Sequence, residues 1–164
     1  MYSKRLAVIE VTENFLSCRA NEDIKEGSFL TDLWGKVSET ATRYTVQVGK
    51  NKHVEPEGVI KYMNHSCDRK ATFIYKRRKD VNPFSGKSQE VFWFMVAACD
   101  IKKGEDITFD YNVTEYEVAE RFRCNCGAVK CLGEIKGFKF LTPEQQKSRE
   151  SELSPVLKKL WQEP

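Results

Sequence analysis

The chain has 164 residues, 40% of them hydrophobic and 31% charged, with a net charge of +3. That length fits one domain with a short appendage and suffices to bury a core without disulfides. The composition excludes a disordered chain, the mild charge falls short of a dedicated nucleic-acid binder, and no run of about 18 apolar residues offers a membrane span. The opening stretch "MYSKRLAVIEVTENF" lacks the long apolar segment of a signal peptide. An intracellular, reducing compartment is therefore expected, with the six cysteines serving as thiols or metal ligands.

In chain order, "RLAVIEV" (Arg5–Val11), "FLTDLW" (Phe29–Trp34) and "RYTVQVG" (Arg43–Gly49) are rich in β-branched and aromatic residues and predict strands. "DIKEG" (Asp23–Gly27) and "GKNK" (Gly49–Lys52) are turn material between them. "ATFIYKRR" (Ala71–Arg78) and "EVFWFMVAACDI" (Glu90–Ile101) predict a hairpin around "DVNPFSGKS" (Asp80–Ser88). "DIKKG" (Asp100–Gly104) resembles the earlier turn without similar flanks, and "ITFDY" (Ile107–Tyr111) predicts one more strand. Thr114 and Glu117 have capping-box spacing and predict a helix from Glu115 to about Phe122. Thr142-Pro143 with Gln145, and Ser154-Pro155, mark two further helix starts. In the last helix Val156, Leu157, Leu160 and Trp161 form one apolar stripe, expected to pack on the domain. The reading is mainly β (β-rich α+β), with no strand–helix alternation and no Gly-rich phosphate loop.

Cys124, Cys126 and Cys131 follow C-x-C-x4-C, a spacing that lets three thiolates converge on one ion. Structural zinc takes four ligands in a tetrahedron, so a fourth must come from elsewhere. Cys18, Cys67, Cys99, His53 and His65 are the candidates. Cys99 sits in an apolar run and reads as a small buried hydrophobe, whereas Cys67 sits in the polar stretch "YMNHSC" and is preferred.

"YMNHSC" (Tyr62–Cys67), "DIKKGEDITFDYN" and "CNCGAVKC" (Cys124–Cys131), in that order, resemble the SET-domain protein lysine methyltransferases that carry a cysteine-rich post-SET segment. The early "ANEDIKEGSFL" (Ala20–Leu30) and "LWGKV" (Leu33–Val37) match less closely, and the resemblance covers roughly Ala7 to Phe140. It implies a SET-type fold of small curved sheets with a C-terminal pseudoknot. The implied division is a SET domain at 1–122, a post-SET zinc segment at 123–141 and a helical tail at 142–164. It also implies that Cys67, Cys124, Cys126 and Cys131 share one structural zinc, and that Asn64 and His65 contact S-adenosylmethionine. Tyr111 takes the place of the family's catalytic tyrosine. Phe109 takes the place where Phe or Tyr governs methyl number, and Phe implies di- or trimethylation. Leu132, in the segment after the last cysteine, is implied to close over the cofactor, with Tyr44 as a cofactor-side aromatic and Tyr62 and Trp34 on the substrate side.

In place of the family's Gly-x-Gly, whose backbone lies near the cofactor's methionine end, this chain has Phe15, Leu16 and Ser17. Leu33 stands where many members have a tyrosine. The implied activity is transfer of methyl groups from S-adenosylmethionine to a lysine of a histone or other basic protein. The alternative is an inactive, zinc-stabilised protein-binding module. Such a reaction must present a neutral amine, and a free lysine of pKa ~10.4 is mostly charged at pH 7, a handicap of about 4.6 kcal/mol. An apolar, aromatic channel lowers that pKa, and a tyrosine hydroxyl orients the amine. The basic run "KRRK" (Lys76–Lys79) suggests contact with DNA or a nucleosome surface. A monomer is expected, nuclear in a eukaryote and cytoplasmic otherwise.

Overall fold

The computed structural model describes residues 4–77 and 91–163. Its strands are short and gather in small sheets. β1 (Leu6–Thr12) and β2 (Phe15–Ala20) form an antiparallel hairpin whose tight turn places Asn14 at a positive φ of 64°, a conformation asparagine tolerates. β3 (Phe29–Asp32) continues into β4 (Gly35–Ser38), and β5 (Val46–Gly49) and β6 (Lys52–Pro56) complete a sheet in the order β4-β6-β5. At the β3–β4 corner Gly35 has φ 151°, and a Cβ there would lie 1.8 Å from the Glu55 carbonyl oxygen, so the close approach of β6 requires glycine.

β8 (Ala71–Arg77) pairs along its whole length with β9 (Val91–Ala97), as the predicted hairpin requires, and β3 adds on the other side of β9. The predicted connection Asp80–Ser88 lies outside the described residues. Alternation puts Ala71 and Phe73 with Trp93, Met95 and Ala97 on the buried face. Each large side chain buried there contributes about 1.5–3 kcal/mol. The Phe73 ring stands edge-on to Trp93 at 6.0 Å and to Phe109 at 5.5 Å. The main core is thus built directly behind the segment that carries Tyr111.

The two "DIK" turns pair with each other. Ile24 and Ile101 exchange both backbone hydrogen bonds, each at 2.8 Å. Asp100 accepts from the Glu26 amide and pairs with Lys25, while Asp23 accepts from the Lys103 amide and pairs with Lys102. Their similarity therefore reflects a local two-fold arrangement rather than a duplicated unit.

"ITFDY" is a strand only at β10 (Thr108–Phe109), which runs parallel to β7 (Asn64–His65). A 3-10 turn follows at Tyr111–Val113. The helix expected from Glu115 to Phe122 does not form. The segment spends its backbone bonds on distant partners: Val118 donates to Lys136, and Phe138 and Lys139 donate to Glu115 and Tyr116. Glu117, the expected capping residue, pairs instead with Lys139 and Arg121. Tertiary pairing has overridden local preference. β11 (Phe122–Arg123) and β12 (Glu134–Ile135) flank the cysteine loop.

Both C-terminal helices form as predicted. α1 (Pro143–Ser148) carries the Thr142–Gln145 capping box and α2 (Pro155–Gln162) is capped by Ser154. In α2, Leu157 is buried and Val156 and Trp161 are partly buried against Val113, Phe138 and Leu153, so these three residues of the predicted stripe pack on the domain. Among the described residues no helix is long and apolar enough to cross a membrane.

Candidate active site and metal centre

The site is built where β7 and β10 lie side by side. Ser66 donates its amide to the Phe109 carbonyl at 3.1 Å, and the Tyr111 amide donates to His65 Nδ1 at 3.0 Å. Nδ1 is therefore the acceptor, which leaves the ring hydrogen on Nε2, 3.4 Å from Cys67 Sγ. Desolvation, opposed by Asp110, holds the His65 pKa down to about 4, so the ring is neutral. The Asn64 side-chain Nδ2 donates to the Leu16 carbonyl at 3.4 Å and ties this segment to β2. The Tyr111 hydroxyl donates to the Met63 carbonyl at 2.7 Å, and burial raises its pKa far above that of a free phenol. Around the Tyr111 ring stand Phe109 at 4.7 Å, His65 at 5.3 Å and Phe122 at 5.9 Å.

Asp110 fixes this turn. It accepts from the Asn112 amide and side chain at 3.0 and 2.9 Å and from Arg149 Nε at 2.6 Å. The Asp110–Arg149 pair is largely buried, at 5% and 14% side-chain exposure. A second tie runs from Arg69 to Glu152 in a fork, and Ser154 donates to the Val113 carbonyl. The tail is thereby bound to the Tyr111 turn. Arg149→Gln would leave Asp110 a buried charge without its cation, and a loss of about 3 kcal/mol in urea unfolding is expected.

A cavity of about 1030 Å³ opens in front of Tyr111. Phe15, Tyr44, Asn64, His65, Phe109 and Tyr111 line it, as do Glu115, Asp106, Phe122 and Cys126. Its volume is at the upper end of the usual range for ligand sites and suits a nucleoside cofactor together with an incoming side chain. Tyr44, half exposed at the rim, lies between two cations, Arg43 and Lys61, each 5.2 Å from its ring centre.

The sulfur atoms of Cys67, Cys124, Cys126 and Cys131 all lie within 4.8 Å of one another, with Cys67 and Cys124 at 4.0 Å. A tetrahedron with zinc–sulfur bonds of ~2.3 Å requires sulfurs about 3.8 Å apart, so the donor set fits one zinc ion with no open position. Burial pushes the Cys67 thiol well up, and a bound cation would favour its thiolate. The Leu132 amide donates to Cys67 Sγ at 3.4 Å. Cys18 is fully buried in the main core and His53 lies on β6, both outside the cluster. Cys99 is half-buried against the core rather than fully enclosed.

Other residues singled out from the sequence lie beside the cavity lining rather than in it. Ser17 is buried and donates its hydroxyl to Asp106 at 2.9 Å. Tyr62 packs on the main core. The Trp34 ring covers Gly58, where a Cβ would come within 2.5 Å of it. Of the run Lys76–Lys79, Arg78 and Lys79 lie outside the described residues, and the Lys76 ammonium stands 5.7 Å over the Phe94 ring. Sequence reasoning missed Glu115, Asp110 and Arg149. The only signal was a polar residue at each position, with nothing local to mark burial.

A family model described as the SET domain matches residues 8–112. A Debaryomyces hansenii histone-lysine N-methyltransferase, H3 lysine-36 specific, is 28% identical over 148 residues, covering 77% of this chain and 18% of the relative. The Aspergillus flavus methyltransferase flvH is 26% identical over 149 residues, covering 90% of this chain and 70% of the relative. The chain thus spans under a fifth of the former and about two thirds of the latter. Among solved structures, KRYPTONITE in complex with mCHG DNA and SAH superposes with a TM-score of 0.62 at 20% identity, covering 79% of this chain and 28% of that one. The methyltransferase domain of human SETMAR also gives 0.62, at 18% identity, covering 84% and 59%.

Proposed function

Because the chain belongs to the SET domain family, we propose that it is a protein-lysine N-methyltransferase using S-adenosylmethionine, with a histone or another basic protein as substrate. The observation that carries this reading is the convergence of Asn64, His65, Phe109 and Tyr111 on one cavity, with the four-cysteine cluster at its edge. The names of the relatives support the reaction class, and the SAH of the KRYPTONITE complex supports the cofactor.

S-adenosylmethionine supplies an electrophilic methyl group on a sulfonium. Asn64, His65 and Phe15 would form its seat, with Tyr44 at the rim, all four lining the cavity, while Ser17 beside the lining and Leu132, packed on the cysteine cluster, would support it from behind. The target lysine would enter past Phe109 and Tyr111, with Tyr62, packed on the main core, and Trp34, over Gly58, on the substrate side. The Tyr111 hydroxyl spends its hydrogen on the Met63 carbonyl. Its lone pairs stay free to accept from the amine and to face the methyl group's partial positive charge. Apolar rings around it disfavour the charged amine. Zinc on Cys67, Cys124, Cys126 and Cys131 is structural.

Phe109 is buried against Phe73 and Tyr111. A phenylalanine at this position supports di- or trimethylation as the expected product. Phe109→Tyr adds a hydroxyl at this wall and is expected to shift the product toward monomethyl-lysine, read by mass spectrometry. The division at 122 and 141, a monomeric state, nuclear placement in a eukaryote and contact with DNA through Lys76–Lys79 complete the proposal. The test is transfer from labelled S-adenosylmethionine to a panel of histones and other basic proteins. Incorporation on lysine supports the reading. Binding of neither cofactor nor label would assign the chain to the non-catalytic class.

A further inference from the structure

Glu115 is a carboxyl group enclosed by the fold with no matching cation among the described residues. It is 8% exposed, lines the cavity, and accepts from the Gln47 amide at 3.0 Å. The Gln47 side-chain oxygen accepts in turn from the Tyr116 amide at 3.0 Å, so β5 and the Glu115 turn clasp each other and fix the acid. Among the described residues no lysine or arginine lies within ion-pair distance of it. Its charge is felt by two phenols, Tyr111 on its own turn and Tyr75 on β8. Arg43, before β5, acts on Tyr111, and Glu152 of the tail acts on Tyr75. The groups that touch the carboxylate are neutral: the Gln47 amide and the Thr114 hydroxyl.

A buried, uncompensated anion is a costly feature for a small domain. Desolvated ionisable groups that line a cleft cluster at functional sites. Resting on the methyltransferase reading above, we propose that Glu115 receives the ammonium of the target lysine and accepts its proton before methyl transfer. The proton passes from the ammonium nitrogen to the carboxylate. The freed lone pair forms the N–CH3 bond as the sulfonium S–CH3 bond breaks, with that pair going to sulfur. The proton then leaves Glu115 for water through the open cavity. Burial pushes this carboxyl up to about 7, against the opposing hydrogen bonds from Gln47 and Thr114, which matches the acid to neutral pH.

The test has two arms. In the first, 13C-glutamate-labelled protein is titrated by NMR, with the Glu115 carboxyl identified by its absence in Glu115→Gln. It is expected to titrate near pH 7, and saturating n-butylammonium, a mimic of the lysine end, should lower its midpoint by about one unit or more relative to equal potassium chloride. A midpoint in the ordinary carboxylate range, or no response to the amine, overturns the ammonium site whether or not the protein methylates anything. In the second, single-turnover methylation of a histone is followed against pH. Glu115→Gln, checked for retained S-adenosylmethionine binding, should lose about 10²-fold at pH 7 and the acidic limb of the profile. A rate within two-fold of the unsubstituted protein, with the limb intact, overturns proton acceptance. If no substrate is methylated by the unsubstituted protein, the methyltransferase reading fails, and the first arm still decides the ammonium site.

Discussion

Replacing Tyr111 by phenylalanine is expected to lower methyl transfer by about 10²–10³-fold, the usual consequence of losing one aligned hydroxyl at developing charge in a water-poor site. Cofactor affinity should change little, because the hydroxyl bonds the Met63 carbonyl and the ring's contacts with Phe109, His65 and Phe122 survive. The substitution strands that carbonyl in a buried place, so about 1–3 kcal/mol of stability should go with it. Rate, cofactor binding by calorimetry and urea unfolding separate the three effects. Activity unchanged in this variant would remove Tyr111 from the chemistry.

Loss of the metal is expected to have the larger structural effect. Cys67→Ser should abolish retention of one tightly bound zinc per chain and disorder the segment from about 123 to 141. Structural zinc sites in small domains contribute on the order of 10 kcal/mol of apparent binding free energy. Here the four thiols bring residue 67 together with 124–131, and the Leu132 amide rests on Cys67 itself. Hydrogen exchange across 123–141, paired with metal analysis, reads both outcomes. Weakened cofactor binding should accompany them, since His65 Nε2 lies 3.4 Å from Cys67 Sγ. A serine variant that keeps its zinc would remove Cys67 from the ligand set.

Glu115 leaves a signature in stability as well. Its pKa is raised on folding, so the stability it contributes is present below the ordinary glutamate value of about 4.5 and is lost as pH rises through 7. Glu115→Gln should therefore melt above the unsubstituted protein at pH 8, with the gap closing toward pH 5. Thermal unfolding across that window reports it.

Much of this was readable from the sequence because two kinds of signal are local. The β-branched and aromatic runs "ATFIYK" and "FWFMVA", set on either side of a turn-rich loop, announced the hairpin. Thr142-Pro143 and Ser154-Pro155 announced helices that formed with the expected caps. The cysteine spacing asked for a fourth thiol, and the fold supplies Cys67. What failed was local evidence contradicted by distant partners. Thr114 and Glu117 have helix-capping spacing, yet Glu115 is held by Gln47, 68 residues away, and Glu117 by Lys139. Arg149 follows a polar helix and reads as solvent-exposed, but lies against Asp110, 39 residues earlier. β2, β4 and β6 were also missed: Gly35–Ser38 and Lys52–Pro56 carry mixed polar residues, and Phe15–Ala20 only borders on alternation. Pairing with a neighbour, more than intrinsic preference, makes them strands.

The ties across the Tyr111 turn also set an order of events during synthesis. β7 must wait more than 40 residues for β10, Cys67 waits 57 for Cys124, Asp110 waits 39 for Arg149, and Arg69 waits 83 for Glu152. The hairpins of the first half can close early, because their loops are short. The cavity cannot: its floor is pinned by residues emerging after the metal loop. A nascent chain would hold formed sheets and exposed thiols for several seconds before the site exists, at ordinary elongation rates of about 5–20 residues per second. Metal capture and docking of the last helix therefore come at the end of folding, when the segments that build the site first coexist.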